Sequence, residues 1–302
     1  MRILLLCLVS LLAACQSNSV TAPPAPIAPQ GRDHADHRVI RELATGRTLT
    51  PQALIERLAA APRVLVGEQH DNPDHHALQL WLLRQLAARR PQGSLLMEML
   101  NPDQQAKVDA AQADTRAGQP PANVYQALSW QANWDWSVYG AVVTYALSQP
   151  YPLLSANLDR EQIMQIYQQR PTLSGEASTT QQVQATLLED IRESHCGLLP
   201  ESQMPAMLAV QQQRDRHMAE RLSTAPTPAL LLAGAFHVRK DLGVPLHLKD
   251  LGAGKGNAVL VLAEAGKAVT AESADYVWYT AAQPEQDHCA SLRGGTSSTM
   301  QR

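Results

Sequence analysis

Six ionisable side chains crowd one short stretch of this chain. After the apolar run Val64-Leu65-Val66, Gly67 leads into Glu68, His70, Asp71, Asp74, His75 and His76. A second Gly-x-x-His, from Gly234 to His237, follows another apolar run, and Glu98 stands inside Leu95-Leu96-Met97-Glu98-Met99. Carboxylates and imidazoles ligate divalent metals and move protons near neutral pH. A charged Glu inside an apolar strand is costly unless it is paired or liganded. Glycine before each histidine lets the backbone turn tightly over the strand end. The spacing therefore predicts one shared polar pocket of Glu68, His70, Glu98 and His237. If a metal is held there, its ligands are His70, Glu98 and His237. A hydrogen-bond network bracing the strand ends would explain any one of these features alone; together they favour a functional pocket. His75 and His76 fall in the first turn of a helix. An imidazolium gains nothing there, so both are expected exposed or behind the pocket. Arg214 and Asp215 are expected to brace the pocket by ion pairing, against the ordinary alternative of a solvated helix face.

Two further stretches stand out. The chain is poor in aromatics, yet seven of its thirteen lie between Tyr125 and Tyr151: Tyr125, Trp130, Trp134, Trp136, Tyr139, Tyr145 and Tyr151. A local mini-core accounts for most of them; the alternative is an apolar wall for a flat ligand. The other stretch is Glu193-Ser194-His195-Cys196-Gly197, in a break between helices, where a bridged cysteine would fix His195 in place.

The elements that must position these residues are legible from pattern. Thr50-Pro51 caps a helix to about residue 60, and Asn72-Pro73 caps an amphipathic helix. Between them Val64–Val66 forms a strand, and Ser94–Leu100 (SLLMEML) forms the next. Further strands fall in 151–160, 229–237 and 257–264, with a possible edge strand over 275–280. A strong helix covers 203–223. Alternating strands and helices predict an α/β fold with a mainly parallel sheet flanked by helices. The helical stretches at 101–150 and 160–200 are expected to form a smaller cap subdomain.

The termini carry separate signals. The chain opens MRILLLCLVSLLAAC, an apolar run too short to span a bilayer. Small residues before Cys15 resemble the lipobox of a bacterial lipoprotein. That resemblance implies a signal peptide over 1–14, lipidation of Cys15, and a lipid-anchored protein of the cell envelope. Gln16, not Asp, after the cysteine would favour the outer membrane. Residues 15–36 are expected to be a disordered, Pro-rich tether, 37–292 the folded domain, and 293–302 a disordered tail. With Cys15 lipidated, Cys196 and Cys289 remain, and in an oxidising compartment such a pair is expected to form a disulfide. The net charge of −3 and the absence of a basic cluster exclude nucleic acid as a partner.

Taken in order, GEQHDNPDHH, LLMEM, WDWSVY, SANLDR, ESHCG, RDRHMA and GAFHVRKDLGVPLHL resemble the ChaN family of haem-binding bacterial lipoproteins, within a superfamily that includes Tiki/TraB and erythromycin-esterase-like proteins. The resemblance covers about 39–292. It implies non-covalent haem binding in iron uptake rather than turnover, and it carries the polar core onto Glu68, His70, Glu98, Arg214, Asp215 and His237. Among residues able to ligate haem iron, His247 in Val244-Pro245-Leu246-His247-Leu248 is the first expectation and His195 the second contact. Tyr276 and Tyr279 lie in a stretch that reads as sheet. A homodimer and a haem-uptake receptor or transporter are the partners this reading allows. A metal-dependent hydrolase of Tiki/TraB type is the alternative.

Overall fold

The computed structural model describes residues 20–287 and 289–290. The proposed signal peptide, Cys15 and the 293–302 tail lie outside these residues. The strands are β1 (Ile40–Glu42), β2 (Arg47–Leu49), β3 (Arg63–Glu68), β4 (Ser94–Met97), β5 (Leu153–Ser155), β6 (Ala229–Gly234), β7 (Ala258–Glu264) and β8 (Tyr276–Thr280). They form one sheet in the order β2-β1-β8-β7-β3-β6-β4-β5. From β8 to β5 every pairing is parallel, while β1 and β2 join antiparallel. The mainly parallel α/β fold expected from the sequence is therefore present. β8 differs from expectation: it is an interior strand, because the short pair β1–β2, polar enough to escape a pattern reading, covers its outer side.

The helices are α1 (Pro51–Ala60), α2 (Pro73–Ala87), α3 (Gln105–Arg116), α4 (Val124–Ala127), α5 (Trp136–Leu147), α6 (Arg160–Gln169), α7 (Gln181–Ser194), α8 (Met204–Thr224), α9 (Ala235–Val238) and α10 (Val244–Asp250). Thr50 and Asn72 cap α1 and α2 through their side chains, each followed by proline in the first turn. Two cores lie on opposite faces of the sheet. Val64, Val66, Leu95, Met97, Leu230 and Leu232 join side chains of α1, α2, α3 and α5 in one. Leu65, Leu96 and Leu231 join α8 and α10 in the other. This is the alternation that a strand period of two requires. The two helical insertions do not share one cap. α3 and α5 extend the first layer, whereas α6 and α7 pack on α8 in the second.

The Pro-rich segment expected to be a tether is packed from residue 20 onward. The amides of Ile27 and Ala28 donate to Oδ1 of Asp74, Ala28 is fully buried, and Gln30 pairs with Ala282 as an antiparallel bridge. Prolines remove backbone donors and stiffen the chain. A strap of this composition can lie on a body that supplies the missing acceptors and donors.

Candidate functional site

Register brings the chemistry together. β3 and β6 pair so that Glu68 stands opposite Gly234, and β4 runs on the other side of β6, delivering Glu98 just beyond Met97. All three strands end at the sheet's carboxyl edge, where open α/β sheets bind ligands. The two carboxylates point to opposite faces. Glu68 continues the Val64–Val66 face toward α5, and Glu98 continues the Leu96 face toward α8.

Each carboxylate meets the helical layer on its own side. Oε1 of Glu68 accepts from the Tyr139 hydroxyl on α5 at 2.8 Å and from Nδ1 of His70 at 2.6 Å. Oε1 of Glu98 accepts from Arg214 on α8 at 2.7 Å and lies 3.3 Å from Nε2 of His237, while its Oε2 accepts from the Gly234 amide at 2.8 Å. Nδ1 of His237 donates to Asp215 at 2.6 Å, and Arg214 also reaches Asn157 at 3.1 Å. Glu68, Glu98 and Asp215 are buried. Burial alone would lower the His237 pKa, but Glu98 and Asp215 overcome it and hold the imidazole up at about 9. Burial works against ionised Glu98 as well, yet His237 and Arg214 keep its carboxyl far below the usual range. Glu98, Asp215 and His237 thus form a buried ion network, which the part-buried Arg214 joins through Glu98.

His70 is set differently. Its side chain is 46% exposed, and burial, which would depress its pKa, is outweighed by the Glu68 bond, so the pKa is raised. Its Nε2 makes no hydrogen bond among the described residues. The ring lies over Gly234, where an added Cβ would come within 2.9 Å of Cε1 of His70. Gly67 is needed for a parallel reason: its Cβ would strike Val238 and Ala235 of α9. His70 borders a cavity of about 360 Å³, lined also by Leu187, Ile191 and Ser194 of α7 and by Ala235, Phe236 and Leu242. That volume lies within the usual range for ligand pockets, roughly 300–1,000 Å³. Phe236, the chain's one phenylalanine, is 61% exposed at the cavity.

The other sequence candidates fall elsewhere. His247 is fully buried on α10; its Nδ1 accepts from Arg216 of α8 at 3.2 Å, and its Nε2 is enclosed without a partner among the described residues. A flat ligand could reach it only by parting α8 from α10, so the expectation that it meets iron is corrected. The Val-Pro-Leu-His-Leu pattern, apolar on both sides of the histidine, was a signal of burial. His195 ends α7, half-exposed, one residue beyond the cavity-lining Ser194; its Nδ1 is bonded to the Ile191 carbonyl at 2.8 Å. His75 and His76 are buried, not exposed. His75 accepts from the Gln69 amide and contacts Thr280, and His76 contacts the His70 carbonyl at 3.0 Å, so together they hold the loop that carries His70. The aromatic segment is largely the mini-core anticipated: Trp130 packs edge-on against Trp136, and Trp134 lies between Tyr139 and His70. What the sequence did not reveal is Tyr139's bond to Glu68, and the cavity wall made by α7. Tyr139 falls at helical spacing within apolar neighbours, and nothing in the pattern marks its hydroxyl as used.

The metal-ligand reading of His70, Glu98 and His237 does not suit this geometry. A ring that donates from both nitrogens has no lone pair for a metal, and Glu98 is already neutralised by Arg214 and His237. Among the described residues, no group of three or more His, Cys, Asp and Glu is arranged to hold an ion.

Comparison with known proteins agrees with the fold and the motifs. The sequence matches the family described as haem-binding uptake, Tiki superfamily, ChaN over residues 54–248. The chain belongs to the ChaN family. A solved structure of ChaN from Campylobacter jejuni, described as binding haem cofacially, is 30% identical, with a TM-score of 0.72 over 79% of this chain and 95% of that one. An erythromycin esterase in its open conformation is a distant likeness at 12% identity and a TM-score of 0.44, over 74% of this chain and 77% of that one. Comparison with curated proteins gives no match. The matched range contains both Gly-x-x-His stretches and Glu98.

Proposed function

We propose that this chain is a haem carrier of the cell envelope, binding haem non-covalently at the carboxyl edge of the sheet. The observation that carries the reading is the combination at one cavity of a half-exposed imidazole, fixed from behind by a buried carboxylate, with apolar walls and an outward-facing phenyl ring. Bound haem would supply an iron that takes one axial donor and a broad apolar face that needs covering. His70 offers the donor through Nε2, and a ligating histidine is ordinarily oriented by such a carboxylate. Leu187, Ile191, Leu242 and Phe236 offer the apolar contact. His195, next in the chain after the cavity-lining Ser194, is the proposed second contact. No Cys-x-x-Cys-His stands in the sequence, in keeping with non-covalent attachment.

Lipidation at Cys15 would hold the carrier at a membrane. Among the described residues no helix is long and apolar enough to cross one. The Campylobacter jejuni protein is described as binding haem cofacially; a homodimer is the partner arrangement proposed for this chain. A hydrolase is not favoured, since the donors it would require are tied up in the Glu98 ion network. The test is titration of haemin into protein lacking residues 1–15. A saturable Soret band that shifts or vanishes in His70→Ala is expected. No saturable band in this protein without substitution would overturn the function, and an unchanged band in its His70→Ala variant would overturn the donor.

A further inference from the structure

We propose that the body docks on an anionic lipid surface through the amino edge of its sheet, so that the cavity faces away from the bilayer. The inference rests on the reading of Cys15 as the lipid anchor and adds an orientation to it. α2 begins at Pro73, just past the carboxyl end of β3, and ends at Ala87, ahead of β4. It therefore returns from the cavity's edge of the sheet to the opposite one. The first described residues lie on its far end. The Thr21 amide donates to Oε1 of Gln85 at 3.1 Å, Nε1 of Trp81 donates to the Thr21 carbonyl at 3.2 Å, and the Val20 amide donates to Gln52 at 3.2 Å. From there the strap follows α2 back to Asp74, which holds Ile27 and Ala28. Asp74 and Gln85 stand about 16 Å apart along the helix, at about 1.5 Å per residue. Cys15 lies outside the described residues, but the chain between it and Val20 reaches no further than roughly 18 Å when fully extended. A lipid on Cys15 thus draws the amino edge toward the bilayer.

That edge carries arginines. Arg90 donates to the carbonyls of Ala59 and Ala61, just ahead of β3, and Arg116, at the end of α3, donates to those of Gln149 and Tyr151, just ahead of β5. Arg89 donates to Gln52 beside Val20, and Arg84 lies over the Tyr145 ring at 5.5 Å. Arg84 and Arg116 are exposed, Arg89 and Arg90 half-buried. Carbonyls, an amide and a ring leave each guanidinium its full charge, and the arginine ion pairs among the described residues are made elsewhere. Glu56, which accepts from Gln52, and Asp114, in the last turn of α3, offset part of that charge. Arginine in excess beside the tether suits lipid phosphates, which a guanidinium binds through two parallel hydrogen bonds. Each basic residue close to an anionic surface strengthens binding about fivefold. Such contacts alone are weak, so they orient a body that the lipid anchors.

The test places the lipidated full chain on vesicles of phosphatidylethanolamine with phosphatidylglycerol, and on phosphatidylcholine vesicles as the uncharged comparison. Phenylglyoxal labels accessible arginines, and peptide mass spectrometry reads each site. On the anionic vesicles Arg84 and Arg116 are expected to label several-fold more slowly than in the body lacking residues 1–15. Arg160, which opens α6 just past β5, and Arg192, in the last turn of α7, lie toward the cavity's edge and should keep their rates. Slowing of Arg160 and Arg192 in place of Arg84 and Arg116 would overturn the orientation. Equal protection on both kinds of vesicle would overturn the role of headgroup charge. A second measurement is direct binding of the body lacking residues 1–15 to the anionic vesicles. Arg84→Gln with Arg116→Gln should weaken it roughly twenty-five-fold, whereas Arg84→Lys with Arg116→Lys, which keeps the charge, should retain most of it. Equal losses in the two pairs would mark a structural effect and refute the docking face. If the mass of the N-terminal peptide shows no lipid on Cys15, the anchor reading fails, and the binding of the two variant pairs decides the arginine face by itself.

Discussion

At Gly234 one methyl group decides where His70 sits. A Cβ there would press on the imidazole at 2.9 Å and approach Oε2 of Glu98 at 3.5 Å. Gly234→Ala should therefore displace His70, lower stability by roughly 1–3 kcal/mol as overpacking does, and alter the haemin spectrum; an unchanged spectrum and melt would show that the ring has another seat. The ion network next to it makes a pH prediction. His237 is held at about 9 when folded, above the ordinary histidine value of 6.5. Its contribution to stability is complete below about pH 6.5 and is lost as pH rises through 9. The amount is on the order of 3 kcal/mol. Glu98 has the opposite sign: its depressed carboxyl stabilises above the ordinary value of 4.5 and loses that contribution as pH falls. Denaturant unfolding from pH 6 to 10 should decline more steeply in the parent protein than in His237→Gln. Equal slopes would place the alkaline loss on some other group.

At the scale of elements, the cavity depends on α7. The helix buries only Leu187 and Ile191, and its surface pairs of Arg192 with Glu189 and Glu201 are exposed, of a kind worth little. Just beyond its end, Cys196 is bridged to Cys289, as the leftover cysteine pair predicted. This ties the wall of the cavity to the C-terminal segment, 93 residues away. In the chain-entropy view such a closure stabilises by about 4–5 kcal/mol. Thiol counting on denatured, unreduced protein lacking residues 1–15 should find no free thiol. The Cys196→Ser variant should melt earlier, and the loss should be accompanied by increased proteolysis within α7 if the bridge secures that helix.

At the scale of the molecule, anchoring and cargo belong to different parts of the chain. The cavity is built from the folded body, whereas the proposed anchor is a single residue before it. Cys15→Ser should therefore move the protein out of the membrane fraction without changing the haemin affinity of the body. A variant that stays membrane-bound would mean that some other feature holds it there. The strap over residues 20–30, held by Asp74 and by pairing with Ala282, starts the folded body well before residue 37, leaving few residues between Cys15 and the protein surface.

The sequence alone determined the parallel α/β plan, the strand ends that carry Glu68, Glu98 and His237, and the pairing of Cys196 with Cys289. Those are local matters: apolar runs, capping residues, glycine before histidine, and the count of cysteines. The family motifs were legible for the same reason, since each is a short run at a strand end. Tertiary structure decided which histidine is reachable. His70 and His247 both follow apolar stretches and look alike in sequence, but one emerges at an open sheet edge and the other lies under α8 beside Arg216. It also decided that the carboxylates face opposite layers, and that Tyr139, distant along the chain, completes Glu68. Exposure and long-range hydrogen bonds arise when separate elements pack. No periodicity within one element encodes what the facing element brings.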